Sequence, residues 1–263
     1  MKIKDKLLSC LGFKKSMPVD AYSFLDDEEN FQKIPPFSKD AQDKKIVIYT
    51  CITGGYDNLQ EPTFTKANIT YIAFSDSDSL SSKIWDVRQI PESLKGKSNA
   101  YINRYIKMHA NELFPNADYA IYIDGSVKIT SDISSSLALI NPNIGLATFR
   151  HCLRDCLFEE AKACLVLKKG NLKYIKKQIS LYEKEGLPHH FGLFECTLLF
   201  IKIGENSKKL FDAWWSELCR SKSGRDQLAL PYVVWKLKID PKQIAVVGTN
   251  VWKSSRFTTS KHN

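Results

Sequence analysis

From residue 44 onward, short apolar runs of strand length alternate with longer stretches of helical spacing. No other feature constrains the fold as strongly. "KKIVIYTCIT" (44–53), "NITYIAFSD" (68–76) and "IWDVRQI" (84–90) predict three strands, the first rich in β-branched residues and closing on Gly54 and Gly55. "SNAYINRYIKMHANELFP" (98–115) predicts a helix. Tyr101, Ile102, Tyr105, Ile106, Met108 and Leu113 form its apolar stripe, Ser98 is the N-cap candidate, and Pro115 lies just beyond its end. A strand over 119–123 running into Asp124 follows, then a helix in "SDISSSLALI" (131–140) and a strand in "IGLATF" (144–149). One or two helices are expected between 155 and about 185, and a strongly apolar strand in "FGLFECTLLFIKI" (191–203). Helices at 206–221 and 226–237, the second interrupted or started by Pro231, and a last strand in "QIAVVGT" (243–249) complete the series. Alternation of this kind builds an α/β sandwich with a mostly parallel central sheet flanked by helices.

The chain divides into a basic segment (1–16), an acidic, proline-bearing linker (17–43), one large domain (44–250) and a short tail (251–263). Its 263 residues suffice for a multi-stranded core. There is no apolar run of about 18 residues, so no transmembrane helix is expected, and the N-terminus lacks a secretory signal. Seven scattered cysteines, several inside apolar runs, fit reduced core residues and a cytoplasmic location. The net charge of +9 favours anionic partners. Five lysines against one aspartate in the first sixteen residues, with Ile3, Leu7, Leu8 and Leu11 at helical spacing, allow either an interfacial helix on anionic lipid or a solvated basic tail. No nucleic-acid-binding motif is present. His151, Cys152 and Cys156 lack zinc-site spacing and read instead as helix-core residues.

The chemistry concentrates in "DYAIYIDGSVKI" (118–129), where an apolar strand runs into Asp124. A carboxylate there must be hydrogen-bonded, paired or bound to a cation, and strand C-termini are where open α/β sheets bind ligands. Asp76 and Asp78 end the second predicted strand, and these carboxylates suit sugar or ribose hydroxyls or a divalent cation. Arg104 and Lys107, three apart on a helix, project from one face and suit a diphosphate. The sequence has no P-loop, no dinucleotide fingerprint and no nucleophile elbow. His189 and His190 read as solvated loop residues. Of the five tryptophans, only Trp252 has a chance of reaching a site.

"ITGGYDNL", "YIAFSD", "INRYIKMHANELFPNADYAIYIDGSVKI", "EGLPHHFGLFECTLLFIK", "WWSEL" and "RDQLALPYVVWK", in this order, resemble the glycosyltransferase-like family catalogued as DUF616, similar in pattern to the GT-A nucleotide-sugar transferases. The resemblance spans roughly residues 44 to 250. It implies a GT-A-like fold and transfer of a sugar from a nucleotide-diphosphate sugar to a carbohydrate or lipid-linked acceptor, in surface polysaccharide or glycan synthesis; the basic segment 1–16 would suit such work at a membrane's inner face. By this resemblance "YIDGS" stands where a D-x-D motif holds Mn²⁺ or Mg²⁺. Asp124 and Ser126 would then be metal ligands, with Ser126 replacing the second carboxylate, and His262 would be a third. Thr53, Tyr56 and Asp76 would lie by the nucleotide, and Arg104, Lys107 and Gln227 by the diphosphate and sugar. Asp226 and Glu195 would be the catalytic carboxylates. A non-catalytic nucleotide-sugar-binding module on the same fold is the alternative, favoured by Ser126.

Overall fold

The computed structural model describes residues 43–248, 250–260 and 262. The basic segment 1–16 and nearly all of the linker lie outside these residues. Within them, nine strands and six helices form the expected α/β sandwich. Seven strands make one sheet in the order β3-β2-β1-β4-β7-β6-β8. They are β1 (Ile46–Ile52), β2 (Ile69–Ser75), β3 (Asp86–Gln89), β4 (Tyr119–Ile123), β6 (Leu146–Arg150), β7 (Phe194–Lys202) and β8 (Ala245–Val246). All run parallel except β7, which is antiparallel to both of its neighbours, β4 and β6.

The helices are α1 (Asn99–Met108), α2 (Ala110–Leu113), α3 (Leu157–Val166), α4 (Leu172–Lys184), α5 (Glu205–Ser221) and α6 (Asp226–Lys236). Their apolar faces pack on one side of the sheet, where Ile102, Ile106, Phe158, Ile175, Trp214 and Leu230 meet Tyr49 and Tyr122. The other side carries Ile48, Ile121, Phe149 and Phe200, covered by the 3-10 segment Ser134–Leu139, Trp85, and a two-stranded ribbon of β5 (Val127–Ile129) and β9 (Phe257–Thr259). The helices are thus gathered on one face. Among the described residues no helix is long and apolar enough to cross a membrane, and all six described cysteines are free.

Several local expectations change. The strand running into Asp124 ends there as expected, and Val127 N–H closes a turn on Asp124 O at 2.9 Å; what the sequence did not announce is the short strand after the turn, which joins a second sheet. "SDISSSLALI" winds as 3-10 rather than α. Its three consecutive serines are weak helix formers, and Asp132 claims the Ser134 N–H and hydroxyl. The 98–115 helix breaks at His109, while Ser98 caps α1 through Tyr101 N–H as expected. Pro231 sits inside a continuous α6. The last strand shortens to two residues, and the tail contributes β9 rather than remaining irregular.

The β5–β9 ribbon holds the segment directly after Asp124. Phe257, buried against Phe149, anchors it (ring centroids 6.1 Å apart). Phe257→Ala is expected to cost about 3 kcal/mol of stability, read as a lower urea midpoint at unchanged slope.

Candidate active site

Sheet direction decides which residues meet. The C-terminal ends of β1, β2 and β4 lie at one edge of the sheet, and the reversed β7 brings its N-terminal end to the same edge. Asp124, just past β4, and Glu195, near the start of β7, therefore come to one place; Asp124 N–H donates to Thr197 O at 2.9 Å. A bulge sharpens the placement. Thr148 of β6 pairs with Leu199 but Phe149 pairs with Glu195, leaving three residues of β7 unmatched. The buried Thr148 hydroxyl fills the gap, 2.6 Å from both Glu195 O and Leu198 O. Bulges of this kind re-aim side chains beside functional sites.

Helix α1 brings the cations. The Lys107 ammonium, only 2% exposed, lies 2.9 Å from Asp226 Oδ2 and 3.5 Å from Asp124 Oδ1, with the Tyr122 ring 4.9 Å away. Arg104 Nε lies 3.2 Å from the same Asp226 oxygen; its N–H is not aimed at a partner, so this contact is an ion pair rather than a directed hydrogen bond. Burial alone would pull Lys107 and Arg104 towards neutrality. Asp226 and Asp124 outweigh it and hold both above their ordinary values. Reciprocally, burial would raise Asp226, but Arg104, Lys107 and Arg225 hold it well below the carboxylate range. Asp226 was a candidate cap, but Arg225 occupies that position. Asp226 is instead the first residue of α6, where a carboxylate also meets the positive end of the helix.

Glu195 has the opposite character. Burial, then the like charges of Glu160 and Asp124, push its carboxyl up to about 7. Thr197 Oγ1 and Gln227 Nε2 both lie 3.5 Å from its Oε1. Of the two predicted catalytic carboxylates, Asp226 is locked as a permanent anion under two cations, whereas Glu195 can exchange a proton near neutrality. Tyr122, pushed up by burial, stays protonated and donates to Asp124 Oδ1 at 2.9 Å.

The nucleotide candidates also gather at this edge. Both Asp76 oxygens accept Gly54 N–H (3.1 and 2.9 Å), tying the ends of β1 and β2 together. Gly54 has φ +63°, and a Cβ there would collide with Asn99 Nδ2 at 1.9 Å. Buried Thr53 donates to Asn99 O (3.4 Å), and Tyr56 is exposed. Asp78 is exposed. Ser126 is buried, and its carbonyl accepts Ser260 N–H at 2.8 Å. His262 Nδ1 lies 2.6 Å from Asp57 Oδ1, its ring tilted on Tyr56. Sequence reasoning passed over Asp57, whose Oδ2 would stand 3.0 Å from a Cβ on Gly125, and Asn103, which donates to Cys51 O at 3.0 Å and Tyr122 OH at 3.3 Å. Only the "YDNL" motif itself hinted at Asp57.

Among the described residues, no three His, Cys, Asp or Glu side chains converge as a preformed metal cage. The oxygen donors present, Asp124 with Asp57 packed against the adjoining glycine, suit a hard cation bound by one or two carboxylates and completed by substrate phosphates. The zinc alternative has no support there. His151, pushed down to about 4 by burial, accepts Leu153 and Arg154 N–H groups on Nδ1, and Cys156 Sγ faces His189. His189 and His190 are exposed loop residues, as expected. Trp85 and Trp214 are core, Trp215 and Trp235 half-buried, and Trp252 exposed.

The sequence of residues 33–257 matches the TOD1/MUCI70 glycosyltransferase-like domain. The chain belongs to this family, which is the DUF616 family that the motifs resembled. A curated relative is "Alkaline ceramidase TOD1" of Arabidopsis thaliana, 23% identical over 233 residues. The match covers 75% of this chain and 49% of the relative, so the chain spans about half the length of the curated relative it matches. Among solved structures, an apo structure of the WbbM bifunctional glycosyltransferase aligns with a TM-score of 0.44 at 12% identity, covering 78% of this chain and 39% of that one.

Two stability measurements follow from the opposite shifts of Asp226 and Glu195. Asp226→Asn leaves Lys107 buried without its nearest anion and is expected to cost ~3–5 kcal/mol at pH 7. Because Asp226 is depressed, its contribution is complete above the ordinary carboxylate pKa near 4 and is lost as pH falls below it. The gap between wild type and variant in urea titrations should therefore narrow in acid. Glu195 has the reverse sign. With a folded value near 7, its ionisation opposes folding as pH rises from about 4 to 7. Glu195→Gln should melt above wild type at pH 8, and the two should converge towards pH 4.

Proposed function

We propose that this chain is a glycosyltransferase that moves a sugar from a nucleotide-diphosphate sugar to a carbohydrate or lipid-linked acceptor. The observation that carries this reading is the pairing, at one sheet edge, of a proton-exchanging carboxylate with two cations held in place by a locked anion. Membership of a glycosyltransferase-like family gives it context. Arg104 and Lys107 face the diphosphate, with Asp226 fixing them and Gln227 close by. Thr53, Tyr56 and Asp76 border the nucleotide. The acceptor hydroxyl gives its proton to Glu195 as its oxygen bonds to the anomeric carbon. The bond from that carbon to the diphosphate oxygen breaks, and its electron pair leaves with the diphosphate, where the two cations meet the charge. This course inverts the anomeric centre. Asp124, with Ser126, Asp57 or His262 as neighbours, would hold Mn²⁺ or Mg²⁺, which when bound supplies further positive charge to the leaving diphosphate. The five lysines of residues 1–16 support work on a lipid-linked glycan at the inner face of a membrane, by a protein that is otherwise cytoplasmic.

Isothermal titration of UDP-, GDP-, CDP- and dTDP-sugars, with and without Mn²⁺, is the test. One donor should bind wild type in a metal-dependent way and fail to bind Asp124→Ala. Absence of binding across the panel removes the reading. Binding without turnover under any acceptor would favour a nucleotide-sugar-binding module. With an active donor, Glu195→Gln should retain binding and lose ~10²–10⁴-fold in turnover. The wild-type rate should rise with pH through about 7, as Glu195 ionises.

A further inference from the structure

Behind Glu195 a line of polar side chains runs into the protein, from Gln227 through Arg225 to Glu160. Glu160, on α3 and 5% exposed, is its inner end. Its Oε2 accepts Arg154 Nε at 2.8 Å and lies 2.7 Å from Arg154 Nη2, while its Oε1 faces Arg225 Nη2 at 3.7 Å and Cys164 Sγ at 3.4 Å. Arg225 Nη2 donates in turn to Gln227 Oε1 at 3.3 Å. That leaves the other end of the Gln227 amide, Nε2, to donate to Phe194 O at 3.0 Å and to Glu195 Oε1 at 3.5 Å. An amide is two-faced: one end donates, the other only accepts. Two grips decide which end meets Glu195: Phe194 O, which takes only the NH₂, and the Arg225 guanidinium, which takes only the oxygen.

Resting on the reading of Glu195 as the proton acceptor, we propose that Arg225, anchored by Glu160, fixes the amide of Gln227 with its NH₂ towards Glu195. This holds Oε1 and leaves Oε2 for the acceptor hydroxyl. Glu160, Arg225 and Gln227 are positioning residues. Released from Arg225, the amide is held by Phe194 O alone and pivots about that bond, so that its NH₂ no longer stays in line with Glu195 Oε1. The arrangement also explains the two residues that flank Asp226. Asp226 serves the cations of α1, while its neighbours on either side serve Glu195. The groups facing Glu195 are Glu160 from α3, Asp124 from the end of β4, Lys107 from α1, Cys152 from the loop after β6, Cys196 and Thr197 from β7, and Gln227 from α6. A change in Glu195 ionisation must be read against all of them.

The test follows the Gln227 side-chain NH₂ resonances by NMR on the full-length ¹⁵N-labelled chain, assigned by their loss in Gln227→Glu, from pH 5 to 9. In wild type they should move with the ionisation of Glu195 and stop moving in Glu195→Gln. In Arg225→Gln that movement should disappear. Glu160→Gln should weaken it in the same way and stands in if Arg225→Gln does not fold. With an active donor, Arg225→Gln should also lose ~10–100-fold in turnover while donor affinity stays within about threefold. Movement that persists in both variants, or that is absent in wild type, overturns the proposal, since a merely structural arginine would lower stability without uncoupling the two side chains. The NMR result needs no donor. If the coupling holds while no nucleotide sugar binds, the positioning relay stands and the transferase reading falls. If a donor binds and turns over but the coupling is absent, the relay alone falls.

Discussion

The buried contact between Lys107 and Asp226 is the constraint on which the rest of this molecule depends. An ammonium 2% exposed and a carboxylate 5% exposed exist inside a protein only because they lie 2.9 Å apart. One comes from α1 and the other from the first turn of α6, so the pair fixes two helices distant in sequence against the same edge of the sheet. Moving either helix would strand a charge in a low-dielectric interior. Tyr49 OH, donating to Lys107 O at 2.8 Å, and Trp214 Nε1, donating to Asp226 O at 2.9 Å, hold the backbone on each side of the pair.

The same pair divides labour among the carboxylates. Asp226 and Glu195 share one neighbourhood, yet Asp226 is held ionised while Glu195 is pushed towards neutrality. Asp226 takes the nearest cations, and Lys107 reaches Asp124 at 3.5 Å. Glu195 is left with burial and two like charges. Neighbouring groups with pKa values pushed apart are the usual basis for distinct acid–base roles at one site.

Much of the framework was legible in the sequence. The alternation of apolar runs gave six of the seven main-sheet strands close to their full length and the helices α1, α3, α4, α5 and α6, because each buries one face and must carry its own period. Ser98 as a cap and the mainly buried tryptophans followed from the same local rules. Other features escaped because tertiary contacts override local preference. The glycine at 54 was legible as a turn residue, but its close packing against Asn99, from α1, was not. The short strand β5 after Asp124 could not be read locally because it exists by pairing with β9, 128 residues further on.

The sequence by itself determined the class of fold, the approximate elements, the family and the set of chemical groups. Arg104, Lys107 and Asp124 could be singled out by residue type and local pattern, and Glu195, Asp226 and Gln227 by the family resemblance. Tertiary structure alone decided what each group is for. Glu195 lies at the beginning of its strand and Asp124 at the end of another, and they meet because β7 runs backwards and bulges opposite Thr148. Whether a carboxylate is a locked anion or a proton acceptor depends on the charges within a few ångströms of it. Those neighbours come from helices and strands up to 119 residues away, beyond the reach of any local pattern.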